Sequence, residues 1–350
     1  MGKKILMCGN DACGEGAMLA GCTFYAGYPI TPQNELTAYM AKRMVDTGGT
    51  FIQAESEIAA INMVLGASAA GFRAMTSSSS PGISLKQEGI SYMAGCELPG
   101  VIVNIQRGGP GLGNIAPAQG DYFQSVKGGG HGDYKVIVLA PDSAQELLDH
   151  TFLAFDLSDK YRNPALILGD GLLGQMMEPV EIRTKSPGNN IQNKPWALTG
   201  CAGRKPNIIK SLLLGDGVLE AHNIKLQEKY RIIKNTEVRV EMTNAKDSDI
   251  MVVAYGSAAR IAKAAVAKAR AKGVKAGLIR PITLWPFPQD AISEIADKVK
   301  KFLVVEMNAG QMVEDVRLAI CGKAKVDFYG RMGGGIPTED EILFQIEKIA

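Results

Sequence analysis

The sequence predicts an α/β protein in two parts: an open parallel sheet with helices on both faces, followed by a smaller α/β domain. Three observations predict it. From residue 3 to about residue 170, short apolar or β-branched runs alternate with longer helical patterns, as in a parallel sheet built from crossover units. A turn-rich interval without that alternation follows. The alternation resumes at Asp249 and continues toward the C-terminus.

The elements follow in order. Lys3–Gly9 reads as a first, buried strand and Glu15–Ala26 as its helix. Pro32–Val45 is helical, with Pro32 suited to a first turn. Thr50–Ala54 is a short strand and Ile58–Ala70 an apolar helix. Arg73–Ser77 is a strand entering the turn Ser77-Ser78-Ser79-Ser80-Pro81-Gly82. Ser84–Gly95 is a helix and Gly100–Gln106 a β-branched strand. Val136–Leu139 is a strand, Ser143–Leu157 a helix and Ala165–Leu168 a strand. From Pro179 to about Lys246, turn signals dominate, in Pro187-Gly188-Asn189-Asn190 and Asn193-Lys194-Pro195, with a helix near Gly217–Ile232. The second unit reads as strand Asp249–Gly256, helix Ser257–Ala271, strand Lys275–Ile279, helix Gln289–Val299, strand Lys301–Glu306, helix Met312–Ile320 and strand Val326–Phe328. The expected domains are therefore 1–180 and 246–350, with a connecting segment at 181–245.

Composition excludes several classes. With 38 Lys and Arg against 36 Asp and Glu, a net charge of +2 gives no support for nucleic-acid binding. No apolar run reaches the roughly 18 residues of a membrane span. The apolar N-terminal run stops at Asn10 and Asp11, too early for a signal peptide, so a cytoplasmic location is expected. Cys8, Cys13, Cys22, Cys96, Cys201 and Cys321 form no C-x-x-C pair. Iron–sulfur and zinc sites need grouped thiolates, so no cluster is expected in this chain, and most of these residues read as small buried hydrophobes.

Three segments carry chemistry. Tyr28-Pro29-Ile30-Thr31-Pro32 is a rigid turn whose two prolines pre-position the Thr31 hydroxyl. Gln53-Ala54-Glu55-Ser56-Glu57-Ile58-Ala59-Ala60 puts carboxylates at the start of an apolar helix. The run after Glu57 would line an apolar cavity, where a partly desolvated carboxyl can share a proton with a ligand. By residue type Glu55 is an equal candidate, and either residue also suits a solvated helix start. Arg107 ends the strand Val101–Gln106, where a guanidinium is placed to fork a carboxylate or to serve as a partly exposed structural arginine. The glycines after it are not a dinucleotide fingerprint, because Gly109-Pro110-Gly111-Leu112-Gly113-Asn114 fails at its last position. Gly9–Glu15 lacks the Lys and Ser/Thr of a P-loop. The Ser77–Ser80 turn offers amides to an anion or is simply a polar loop. His131, in the Gly128–Tyr134 loop, faces a substrate or only solvent.

The Tyr28–Pro32 turn and the Glu57 helix start together resemble the pyrimidine-binding domain of thiamine diphosphate (ThDP) enzymes, in the form of the alpha-type subunit of 2-oxoacid:ferredoxin oxidoreductases. The resemblance covers essentially the whole chain, with 246–350 similar to a transketolase C-terminal-like domain. Thr76–Lys86, Gly128–Tyr134 and Leu168–Pro179 are most similar to the branched-chain, 2-oxoisovalerate type. The resemblance implies that Glu57, rather than Glu55, contacts the pyrimidine, with Tyr28, Pro29 and Ile30 beside the cofactor. It implies that Thr31 and Arg107 meet the substrate carboxylate. The implied reaction is oxidative decarboxylation of a 2-oxoacid to acyl-CoA and CO2, with reduction of ferredoxin.

Such enzymes hold Mg2+ and the diphosphate through a Gly-Asp-Gly…Asn motif in another domain. Gly169-Asp170-Gly171 has no Asn at the required distance; Gly215-Asp216-Gly217 has Asn244 but lies outside either βα unit. Neither is assigned. The resemblance then implies ThDP shared with a beta-type partner subunit that holds Mg2+. It also implies iron–sulfur clusters on gamma and ferredoxin-like subunits, with coenzyme A and ferredoxin as further partners. Rival readings are a 2-oxoglutarate:ferredoxin oxidoreductase alpha subunit, a non-oxidative split transketolase-like enzyme, and a scaffold subunit. Ile30, Ile58 and Leu112 lie near the motifs without a second arginine beside Arg107, which favours a branched-chain substrate over a dicarboxylate. Glu306 and Gly333-Gly334-Gly335 are expected at subunit contacts or coenzyme A.

Overall fold

The computed structural model describes residues 3–182 and 194–350; the Pro187-Gly188-Asn189-Asn190 turn and Asn193 lie outside them. The first part comprises β1 (Lys3–Cys8), α1 (Gly9–Leu19), β2 (Phe24–Gly27), α2 (Asn34–Thr47), β3 (Thr50–Gln53), α3 (Glu57–Ala69), β4 (Ala74–Ser78), α4 (Pro81–Gly95), β5 (Gly100–Gln106), β6 (Ile137–Leu139), α5 (Ala144–Tyr161), β7 (Pro164–Asp170), α6 (Gly171–Gln175) and β8 (Met177–Ile182). The second comprises α7 (Val218–Thr236), β9 (Val240–Thr243), β10 (Ile250–Val253), α8 (Gly256–Ala271), β11 (Ala276–Pro281), β12 (Thr283–Trp285), α9 (Gln289–Ala296), β13 (Lys301–Glu306), α10 (Met312–Ile320), β14 (Lys325–Gly330) and α11 (Glu339–Ile349).

Among the described residues the main sheet runs β12-β6-β7-β5-β4-β2-β3, parallel except for β12. Its central strands β5 and β7 are buried at every position, because helices cover both faces. α1, α2 and α5 pack together on one side and α3 against α4 on the other. A second sheet runs β14-β13-β10-β11-β9, parallel except for β9. α8 packs against α11 and α9 against α10. No helix among the described residues is long and apolar enough to cross a membrane.

The two sheets are tied by polar groups. Arg280 on β11 is buried and forks Glu146 on α5 with two bonds of 2.7 Å, while its Nε donates to Glu241 at 2.8 Å. Burial alone would raise the Glu146 carboxyl, but the Arg280 fork and charge hold it down at about 2. Gln119 donates its side-chain amide to Tyr255 O and accepts from Met307 N, and its carbonyl accepts from Asn308 Nδ2.

Three expectations change. The helix expected over Glu15–Ala26 stops at Leu19, because Gly21 takes a φ of 77° and turns the chain; Phe24–Gly27 is then a strand. The expected buried first strand is instead one half of a two-stranded antiparallel ribbon with β8, leaving Leu6 64% exposed. α6, β8, β9, β12 and α11 are further elements that the sequence did not predict.

Candidate active site

β5, β4, β2 and β3 lie side by side in that order, and Arg107, the four-serine turn, the Tyr28 turn and the Glu57 helix start follow their carboxyl ends. From β2 the chain moves outward to β3, then returns past β2 to β4, so the strand order reverses between β2 and β4. Ligands of open parallel sheets bind at such a reversal.

Glu57 opens α3, whose N-cap Ser56 accepts a bond from Ala59 N at 3.1 Å. Burial separates the two neighbouring acids: Glu57 is 6% exposed, whereas Glu55 faces solvent. Among the described residues the Glu57 carboxylate has no hydrogen-bond partner. It lies against the first turn of α4, since a Cβ on Gly82 would stand 2.7 Å from Glu57 Oε1 and 2.1 Å from Ser78 Oγ. The buried Ser78 hydroxyl beside it also lacks a partner, as does the next one in the chain, Ser79. Lys86, which no motif singled out, is fully buried behind Glu57; its Nζ donates to Thr76 Oγ1 at 3.0 Å and to Glu57 O at 3.4 Å.

Beneath the Tyr28 turn, a buried network fixes the backbone. Tyr25 Oη meets Ser77 Oγ at 2.6 Å and Thr37 Oγ1 at 3.0 Å, and both hydroxyls donate to Gln33 Oε1. Thr31 is exposed, and its carbonyl accepts from Arg107 Nη1 at 2.9 Å. Arg107 Nη2 donates to Leu112 O at 3.0 Å, so the glycine loop folds over the guanidinium. Arg107 is nearly buried and its Nε–H is unpartnered. Behind it, Ser80 holds an unusual φ of 26°. Its hydroxyl accepts from Arg107 N at 3.0 Å and donates to Asp121 at 2.6 Å, while its amide donates to Asn104. That Ser80 amide is therefore not free for an anion. Burial pushes the Asp121 carboxyl up. Sequence reasoning missed Ser80, Asn104 and Asp121 as supports of Arg107.

The remaining candidates divide. Tyr28 and Pro29 are exposed and Ile30 half-buried at the turn. The run after Glu57 does not line a cavity as a block: Ile58 points outward at 49% exposure, while Ala60 and Ile61 are buried. Asp170 caps α6 by accepting from Leu172 N and Leu173 N, and accepts from Ser257 Oγ at 2.7 Å. Asp216 is exposed ahead of α7. Glu306 is fully buried and caps α10 through Gln311, Met312 and Val313 amides, so it faces no outside ligand. Gly333 instead reaches the site, its carbonyl accepting from Asn114 Nδ2 at 2.8 Å. His131 is exposed beside Tyr92. Burial raises the Cys13 and Cys22 thiols to about 12, which makes them inert core residues.

A family model described as "Pyruvate flavodoxin/ferredoxin oxidoreductase, thiamine diP-bdg" matches residues 15–245. The chain belongs to the ThDP-dependent 2-oxoacid:ferredoxin oxidoreductase family. A second model of this family, "Pyruvate:ferredoxin oxidoreductase core domain II", matches residues 248–342. Ketoisovalerate oxidoreductase subunit VorB of Methanothermobacter thermautotrophicus is 51% identical over 98% of this chain and 97% of its own. The 2-oxoglutarate synthase subunit KorA of Methanothermobacter marburgensis is 39% identical over 99% of each. The 2-oxoglutarate:ferredoxin oxidoreductase of Magnetococcus marinus, solved with 2-oxoglutarate, coenzyme A and succinyl-CoA bound, superimposes with a TM-score of 0.87 at 29% identity. That match covers 99% of this chain and 65% of the other. A split-gene transketolase, an inactive beta4 tetramer, shares the fold with a TM-score of 0.61 at 14% identity. As a member of this family, the chain is an oxidoreductase subunit with a ThDP-binding α/β fold.

Proposed function

We propose that this chain supplies the pyrimidine half of a ThDP site in an enzyme that oxidises 2-oxoisovalerate and related branched-chain 2-oxoacids to acyl-CoA and CO2, reducing ferredoxin. The observation that carries it is Glu57: a side chain only 6% exposed whose carboxylate makes no hydrogen bond among the described residues, at the carboxyl edge of a parallel sheet where the strand order reverses. A carboxylate at the mouth of a buried side chain, with no protein donor, is free to accept or share a proton with a ligand. The pyrimidine ring fits that role, and the missing side chain at Gly82 is what lets α4 lie directly against the Glu57 carboxylate.

When bound, ThDP would supply a nucleophilic carbon and an electron sink for the decarboxylation. Glu57 holds and shares the proton of the ring nitrogen. Arg107 meets the substrate carboxylate with its guanidinium charge, held in place by its bonds to Thr31 O and Leu112 O. The Thr31 hydroxyl, exposed beside it, orients the keto end. Tyr28, Pro29 and Ile30 flank the cofactor.

The other half of the site belongs to a beta-type partner holding Mg2+ and the diphosphate. Exposed Tyr28, Ile58, Leu85, Leu112 and Ile115 lie on the loops and helix starts that carry the site, and such apolar surface suits a docked protein. In such an enzyme, iron–sulfur clusters on gamma and ferredoxin-like subunits would take the electrons, and coenzyme A the acyl group. The 51% relative favours a branched-chain substrate; the 39% relative supports 2-oxoglutarate as the second reading.

The test is reconstitution with the partner subunits. Glu57→Gln lowers kcat on the order of 10² to 10⁴ while Glu55→Gln leaves it near wild type; the reverse order overturns the assignment. The isolated chain binds ThDP weakly, and tight Mg2+-dependent binding by it alone would defeat the half-site reading. A higher kcat/KM on 2-oxoglutarate than on 2-oxoisovalerate would establish the second reading.

A further inference from the structure

Lys86 has no part in the reading above. Its side chain is fully buried on α4, and among the described residues it forms no ion pair. Its Nζ donates to Thr76 Oγ1 on β4 and to the carbonyl of Glu57 on α3. Glu57 is the charged group that acts on it from these elements, at a distance beyond a direct contact. Burying an ammonium without a contacting carboxylate is expensive, and a methionine would fill the same space. The charge therefore calls for a reason other than packing.

We propose that Lys86 is a positioning residue for Glu57, pinning the first peptide of α3 and biasing the proton shared by Glu57 and a bound aminopyrimidine toward the ring nitrogen. This rests on the assignment of Glu57 to that ring. The proton leaves the carboxyl oxygen and attaches to the ring nitrogen, so no co-reactant is needed. A nearby positive charge favours the carboxylate over the carboxylic acid and so drives that transfer. Burial lowers the Lys86 amine to about 8, against the pull of Glu57. As pH rises through that value Lys86 loses its charge, and the bias toward the ring is lost with it.

Two measurements test this. In the full-length chain without cofactor, 13Cε NMR follows the Lys86 titration, assigned by its loss in Lys86→Met. Glu57→Gln should lower the midpoint by roughly one pH unit, because the anion favouring the ammonium is gone. An unmoved midpoint overturns the coupling. In the reconstituted enzyme, Lys86→Met should lower kcat on the order of 10- to 100-fold with little change in KM for the 2-oxoacid, and remove the alkaline limb near pH 8. Wild-type kcat and pH profile in that variant overturn the proposal. A fully active Glu57→Gln enzyme with a moved NMR midpoint removes the Glu57 assignment, and the proton bias with it, while the Lys86–Glu57 coupling stands.

Discussion

Replacing Lys86 by Met should stabilise the fold while slowing the enzyme. The amine titrates ordinarily at 10.5 and is brought down to about 8 by burial, with Glu57 opposing. At 1.36 kcal/mol per unit, the buried ammonium costs the native state about 3 kcal/mol at neutral pH. Methionine removes that cost but leaves the Thr76 hydroxyl and the Glu57 carbonyl without this donor, at about 1 kcal/mol each or less. The net expectation is a gain of about 1–2 kcal/mol at pH 7. The pH dependence follows from the sign of the shift. Between pH 8 and 10.5 the unfolded chain binds a proton that the folded chain does not, so wild-type stability gains from this group as pH rises. Urea unfolding of both proteins at pH 7, 8.5 and 10 checks this. The difference between them cancels the buried tyrosines and thiols that titrate in the same range. The advantage of Lys86→Met should shrink as pH rises. A difference independent of pH, or a variant less stable than wild type by more than about 2 kcal/mol, refutes the reasoning.

Gly82→Ala places a methyl group against the tips of Ser78 and Glu57 rather than against backbone, and alanine favours the α4 helix by about 1 kcal/mol. Melting should therefore change little while kcat falls at least about tenfold; normal activity would show that the position of the carboxylate does not matter. Arg280→Met leaves the half-buried Glu146 without its fork and should cost about 1–3 kcal/mol by calorimetry, and a loss below about 1 kcal/mol would mean that Arg280 does not tie the sheets. Arg107→Lys keeps the charge but cannot bond Thr31 O and Leu112 O together, so KM for the 2-oxoacid should rise at least about tenfold. An unchanged KM would remove Arg107 from substrate binding.

Much of this was legible in the sequence because strand, turn and helix signals agree along most of the chain. Lys301–Glu306 and Met312–Ile320 emerge with the expected ends. Phe24–Gly27 was not legible, because Cys22-Thr23-Phe24-Tyr25-Ala26 continues the apolar content of the helix before it, and only Gly21 marks the break. β12 and β9 were hidden for another reason: each is short and takes its stability from a strand distant in sequence. At the site, the Thr31 turn, Glu57 and Arg107 were visible as local patterns. Their supports were not. Gln33, Ser80, Asn104 and Asp121 read as ordinary loop or strand polar residues until pairing brings them together. Lys86 reads as solvated by residue type, yet Ile83, Ile90 and Met93 share its helical face, and that spacing was the available signal.

β12 bears on how this gene can be divided. Thr283–Trp285 belongs by sequence to the second unit, but it completes the edge of the first sheet by pairing with β6. A fragment ending near residue 246 would uncover the rim of Ile137-Val138-Leu139, an apolar strand with open backbone groups ready to recruit a foreign strand. Recombination that exchanged the second unit would have to bring an equivalent closing strand with it. The two halves are thus heritable as a pair, and a breakpoint between them selects for aggregation before it can select for new chemistry.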